Sequence, residues 1–372
     1  MRKTLAGLVV AAGLIAPLAA QPAYAQKPVV EVAFVLDTTG SMSGLIENAK
    51  RKIWSIATSV VDANPDAEVR MALVAYRDIG DEFVTRKFEL TTDIQGLYAE
   101  LLKFRAAGGG DWPESVNEAL DVAITKLNWS QEKEVRRIVF LVGDAPPHMD
   151  YKQDRKYPEV LKDAKARGII VNAVQAGPAR DTERFWREIA QLGDGKYIPI
   201  PQDGGVALII ETPYDRQILE LQIRLNRTVL PYGKRAQQMK VQERLDNVAA
   251  APQSTATDIA VYRSKIRKAD VVSTDGDLVS DTASGRVKLE SVPEAELPDD
   301  LRKLAPAARK AEVEKQGAER KALDEKLAAL VKQRDAYVIA ERQKRPANAK
   351  KDSFDQVVED TLRSQIKPVP VN

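Results

Sequence analysis

The run Val29-Val30-Glu31-Val32-Ala33-Phe34-Val35-Leu36 is apolar but for one residue, and it stops at Asp37-Thr38-Thr39-Gly40-Ser41. A run of that length, rich in Val and Phe, reads as a strand buried on both faces, so both faces of its sheet need helical cover. Ile46, Ala49, Ile53, Ile56 and Val60 follow at helical spacing and complete a strand–turn–helix unit. Ligands of open α/β sheets bind at the carboxyl ends of strands. The Asp37 carboxylate and the Thr39 and Ser41 hydroxyls on this turn are therefore placed to hold a hard cation.

The alternation continues down the chain. Val69, Met71, Leu73 and Ala75 alternate in a strand, Gly80 turns, and Phe83 to Leu90 returns as its antiparallel partner. A helix from about Asp93 leads through a glycine-rich loop, 108–110, into a second with Val116, Leu120, Ala123 and Leu127 on one face. Strands at 135–142, 169–174 and 197–200 are separated by helices after Pro158 and around 181–192. Strand and helix in this order predict an α/β fold, doubly wound, with a mainly parallel sheet covered on both faces. That unit spans 29–205.

Beyond it the composition shifts. Thr212-Pro213-Tyr214-Asp215 resembles a capped helix start, predicting a helical connector over 212–233 closed by Pro231-Tyr232-Gly233. Residues 234–300 are of uncertain structure: Ile259, Tyr262 and Ile266 have helical spacing in a run too short and polar for its limits to be set, and Asp275-Gly276-Asp277 reads as a turn rather than a calcium loop. The 301–345 segment is rich in Ala, Lys, Glu, Arg and Leu, with Leu323, Leu327, Leu330, Arg334 and Val338 forming a narrow apolar stripe. Such a stripe needs a partner: the rest of the chain, or a second copy in a coiled-coil homodimer. The segment 346–372, with Pro368 and Pro370, reads as a mobile tail.

Met1-Arg2-Lys3, the apolar stretch to Ala20 and the ending Ala23-Tyr24-Ala25 have the form of a secretory signal over 1–25, with cleavage before Gln26; an uncleaved membrane anchor is the alternative. Export places the protein in the periplasm or outside the cell. There is no cysteine, hence no disulfide and no lipidated N-terminal Cys. The 56 basic and 54 acidic residues nearly cancel, which gives no electrostatic footprint for nucleic acid.

Three loops bring oxygen ligands to the sheet: Asp37 to Ser41, Gly110-Asp111-Trp112-Pro113-Glu114, and Gly143-Asp144. Magnesium is the fitting ion, with manganese or calcium possible, whereas a chain with no Cys and only His148 is poorly equipped for zinc. The Asp37 turn resembles the Asp-x-Ser-x-Ser metal-ion-dependent adhesion site of von Willebrand factor A domains, with Thr39 in place of the first Ser. Tyr76-Arg77-Asp78, the 108–114 loop and Gly143-Asp144-Ala145-Pro146-Pro147-His148 are similar to A-domain segments of hemicentin-like and α-kinase-associated proteins, in the same order. The resemblance implies the Rossmann-like A-domain fold with one antiparallel edge strand. It implies direct metal ligation by Thr39 and Ser41, with Asp37 and Asp144 acting through waters and hydrogen bonds. Many family members carry a threonine on the second loop, whereas the Asp111 and Glu114 pair resembles that of integrin β subunits, where the Glu reaches the central ion and the Asp helps an adjacent one; the sequence leaves open which of Asp111 and Glu114 ligates directly.

Taken singly, Asp37 could be a helix cap and Asp144 a turn residue. Arg77 and Asp78 read as a structural pair, and His148 as a surface or supporting residue. Trp112 could grip a partner or pack over the glycine loop. The resulting expectation is an exported adhesion or scaffold protein, not an enzyme, that captures a partner's carboxylate through Mg²⁺. The alternatives are a metal-dependent hydrolase with His148 or Glu114 as base, or a structural envelope protein whose metal only stabilises the fold.

Overall fold

A computed structural model describes residues 28–132, 134–205, 209–266, 270–344 and 353–366. The expected signal lies outside the described residues. The strands are β1 (Val29–Asp37), β2 (Glu68–Tyr76), β3 (Thr85–Thr91), β4 (Arg136–Gly143), β5 (Ile169–Ala176) and β6 (Asp194–Ile200). They form one sheet in the order β3-β2-β1-β4-β5-β6, parallel throughout except for the β2–β3 pair. This is the doubly wound sheet with one antiparallel edge that the alternating pattern predicts.

The sheet periodicity of two sorts the β1 side chains between two cores. Val30, Val32, Phe34 and Leu36 enter one cluster, and Ala33 and Val35 the other. On the first face lie α1 (Ser43–Ala63) and α2 (Ile94–Lys103). The second face is covered by α3 (Val116–Asp121), α4 (Tyr157–Ala166) and α5 (Arg180–Leu192), with Trp186 of α5 fully buried. The helix expected to run on to Leu127 changes to π-helical winding at Val122–Lys126.

The remaining helices are α6 (Asp215–Arg227), α7 (Arg235–Ala250), α8 (Gln253–Lys265), α9 (Leu278–Ala283), α10 (Asp299–Arg302), α11 (Pro306–Gln343) and α12 (Phe354–Ile366). The helical spacing of Ile259 and Tyr262 belongs to α8, and the stretch from 234 is thus largely helical. Its longer helices, α7 and α8, have no marked amphipathic face because α8 packs on both sides: Ile259 and Tyr262 enter the sheet core, Ala260 and Val261 the helical one. Asp277 is the buried N-cap of α9, accepting from the Val279 amide.

Of the two partners open to the α11 stripe, the structure supplies the rest of the chain: Leu323, Leu327 and Val331 are buried with Ile218 and Leu225 of α6 and Ala260 of α8. One expectation about the C-terminal region needs correction. The expected mobile tail over 346–372 contains α12, whose Phe354, Val358, Leu362 and Ile366 are buried against α1 and the sheet; residues 346–352 and 367–372 lie outside the described residues. Their i, i+4 spacing is a helical face, outweighed in the sequence by the flanking prolines and lysines.

Candidate metal centre

With strand order 3-2-1-4-5-6 the chain reverses direction of travel between β1 and β4, and the crevice beyond their carboxyl ends is the place where an open α/β sheet leaves room for a ligand. Asp37 is the last residue of β1 and Asp144 the first after β4. Both are buried. Asp37 Oδ1 accepts from the Thr39 amide at 2.8 Å and the Thr39 hydroxyl at 2.6 Å. Thr39 Oγ1 stands 3.5 Å from Ser41 Oγ. Asp144 Oδ2 accepts from Gln202 Nε2 at 2.6 Å, and Gln202 sits on the loop after β6.

Glu114 arrives from the glycine loop. Its amide donates to the Pro146 carbonyl at 2.9 Å and its carbonyl accepts from the His148 amide at 3.1 Å, which zips this loop to the one carrying Asp144. Gly108 and Gly109 have φ of 80° and 82°, where side chains are strained, and a Cβ on Gly109 would lie 3.0 Å from Glu114 Oε1 and 3.3 Å from Thr39 Cβ. The loop needs glycine both to turn and to let Glu114 approach the Asp37 turn.

Asp37 Oδ2, Glu114 Oε2, Asp144 Oδ1 and the Tyr76 hydroxyl are buried without a hydrogen-bond partner. Buried polar atoms are ordinarily paired, and a divalent cation with its waters would answer all of these oxygens at once. The electrostatics agree. Burial, then Asp144, pushes the Asp37 carboxyl up to about 7. Burial, then Asp37, Asp78, Asp81 and Asp144, pushes Glu114 up to about 9. The oxygens and flanking hydroxyls fit a hard divalent ion.

Asp111 does not join this group. Its side chain is exposed, and its Oδ2 lies 3.6 Å from His148 Nε2. Among the described residues, the acidic and histidine side chains whose ligand atoms come within 4.8 Å of one another as a set are Asp78, Asp111 and His148. Asp37, Glu114 and Asp144 are spread more widely than that. Arg77 and Asp78 are not a pair either. Arg77 meets Glu82 and the Arg105 carbonyl, while Asp78 accepts from Ser115 and Tyr151. His148 is buried rather than superficial, stacked on Tyr151 with ring centroids 3.8 Å apart.

Trp112 is exposed and its indole N–H reaches Asp181 at 2.6 Å, so it does not cap the glycine loop by burial. Sequence reasoning missed Asp81, which accepts from the Asp78 and Gly109 amides, and Gln202. Asp78-Ile79-Gly80-Asp81 is a turn composition that could have flagged Asp81, whereas nothing in the local sequence marks Gln202.

Residues 31–201 match the von Willebrand factor A domain family. An ariadne-like RING finger protein of Acanthamoeba polyphaga mimivirus is 25% identical over 219 residues, 53% of this chain and 20% of that protein. An alpha-protein kinase of Dictyostelium discoideum is 28% identical over 126 residues, 32% of this chain and 19% of that protein. This chain spans about one fifth of the length of both curated relatives. Among solved structures, a conserved hypothetical protein BatB of Bacteroides thetaiotaomicron aligns with a TM-score of 0.34 and 17% identity, covering 46% of this chain and 90% of that one. Sheet order, edge strand and family match together establish that the chain carries a von Willebrand factor A domain over residues 31–201.

Proposed function

We propose that this chain is an exported, metal-dependent protein-binding protein, an adhesion or scaffold molecule, whose A domain captures an acidic group of a partner through Mg²⁺. The observation that carries the reading is the convergence of orphaned, buried oxygens of Asp37, Glu114 and Asp144 at the sheet's switch point. Thr39 and Ser41 would ligate through their hydroxyls, Glu114 would reach the ion from the glycine loop, and Asp37 and Asp144 would hold its waters. A bound Mg²⁺ would neutralise the acids and leave a coordination position for a carboxylate. Exposed Ile79, Trp112 and Met149 border the site's loops and offer the apolar contact that a protein partner needs around such an anchor. Export rests on the 1–25 segment alone. A-domain proteins commonly mediate protein association, which favours binding over hydrolysis.

The test has two arms. Calorimetric titration should show one Mg²⁺ site in the chain and none in a folded Asp37→Ala/Ser41→Ala variant. A peptide array should then retain the chain in Mg²⁺ at Asp- or Glu-bearing peptides, but neither at their Asn or Gln counterparts nor in chelator. Undiminished Mg²⁺ affinity in the folded double variant, or equal retention on the amide peptides, would defeat the reading.

A further inference from the structure

His148, the only histidine of the chain, is 4% exposed. Its Nδ1 is 2.8 Å from Asp150 Oδ1, and a proton shared there leaves Nε2 with a lone pair. Nε2 is buried and has no hydrogen-bond partner. What faces it is carboxylate: Asp78 Oδ2 at 3.4 Å and Asp111 Oδ2 at 3.6 Å. A lone pair aimed at two anionic oxygens is repulsive unless something positive sits among them. Both separations exceed a good hydrogen bond. They approach the edge of a tetrahedron of ligands around an ion with bonds of about 2.0–2.1 Å, which is about 3.3–3.4 Å.

The surroundings are those of a built site. Asp150 orients the imidazole through its other nitrogen, as carboxylates do behind metal-bound histidines. Ser115 and Tyr151 donate to the two oxygens of Asp78, both at 2.8 Å, and Tyr151 also stacks on the imidazole. These contacts hold the His148 ring and the Asp78 carboxylate in one arrangement. Asp111 is exposed, so solvent reaches the cluster on its side. The residue following each member, Ile79, Trp112 and Met149, is an exposed large apolar side chain.

We propose that Asp78, Asp111 and His148 form a second cation site beside the magnesium centre, selective for a borderline divalent metal of the Zn²⁺ class. One imidazole and two carboxylates make a three-ligand set with one position left for water or a partner group, and imidazole favours such metals over Mg²⁺. Sequence reasoning set zinc aside for want of ligands. The fold supplies them by bringing one histidine to two carboxylates from separate loops. The site stands independently of the Mg²⁺ reading.

The test uses the chain without an affinity tag, in excess Mg²⁺. Zn²⁺ titrated calorimetrically should bind at one site, and the single histidine's imidazole nitrogen resonances should shift in stoichiometric proportion. Co²⁺ should give a visible absorption band of low-coordinate form. His148→Gln should abolish the band, and Asp111→Asn, on an exposed side chain that leaves the fold alone, should weaken Zn²⁺ at least tenfold. Asp37→Ala should lose Mg²⁺ and keep Zn²⁺, which separates failure of one site from failure of the other. If His148 is instead a plain imidazolium held by its carboxylates, Zn²⁺ leaves its resonances unchanged and the proposal falls. It falls equally if Asp111→Asn binds Zn²⁺ as tightly as the parent chain.

Discussion

Asp37 and Glu114 are carboxylates that the fold has removed from water. Both hold protons more tightly folded than unfolded: Asp37 at about 7 against an ordinary 3.8, and Glu114 at about 9 against 4.5. The folded chain without metal therefore binds more protons than the unfolded chain across this range, and stability falls as pH rises. The loss begins near the ordinary carboxylate values and continues to about 7 for Asp37 and about 9 for Glu114. Thermal melts in chelator should thus fall steadily from pH 5 to pH 9. If the proposed Mg²⁺ site forms, added Mg²⁺ should flatten or reverse that slope, because a cation prefers the deprotonated carboxylates. Asp37→Asn should raise the metal-free stability at pH 8 on the order of 3 kcal/mol while removing Mg²⁺ binding. A destabilised Asn variant in chelator would show that the buried charge is compensated by something other than a cation.

At the scale of elements, one buried ion pair fastens the longest helix to its neighbours. Arg320 of α11 donates to Asp277 Oδ2 at 2.6 Å, to Ser280 Oγ at 2.7 Å, and to the hydroxyl and carbonyl of Thr228, both at 2.9 Å. Both charged side chains are nearly inaccessible, so every lone pair has to be answered inside. Arg320→Ala would strand the Asp277 carboxylate in the interior and should cost about 3–5 kcal/mol in urea unfolding. Hydrogen exchange should rise first in α9 and the first half of α11. A loss under about 1 kcal/mol would mean that water replaces the guanidinium.

On the scale of the molecule, the A domain and the helical region are not separable at residue 205. The face of the sheet carrying Phe34 and Phe140 is finished by α12, with Phe34 and Phe354 ring centroids 6.4 Å apart. The Phe354 amide donates to the Gly204 carbonyl at 2.8 Å, just beyond the last strand. Leu362→Ala should cost about 2–5 kcal/mol, the usual range for a fully buried leucine. A chain ending at 344 loses all of α12 and should bind a hydrophobic dye and melt without cooperativity. A cooperative, fully folded 28–205 fragment would show that α12 is an accessory rather than a wall of the core.

The parallel sheet, its antiparallel edge and the Asp37 turn were legible in the sequence because two-sided burial writes long apolar runs, and a ligand turn must follow such a run directly. That Thr39, Glu114 and Asp144 would lie near the Asp37 turn was legible too, since each stands within a few residues of a strand end or a glycine loop. Three features were decided only by tertiary structure. Asp111 parted from Glu114 because the bridge at Glu114 and Pro147 turns one toward Thr39 and the other toward His148. His148 became buried because the loop after β4 folds under Tyr151 and Asp78. α12 looked like a tail because its four apolar residues acquire a meaning only beside a sheet face formed more than 150 residues earlier. Periodicity reports which side of an element is apolar, but what covers that side is settled by contacts between residues far apart in the chain.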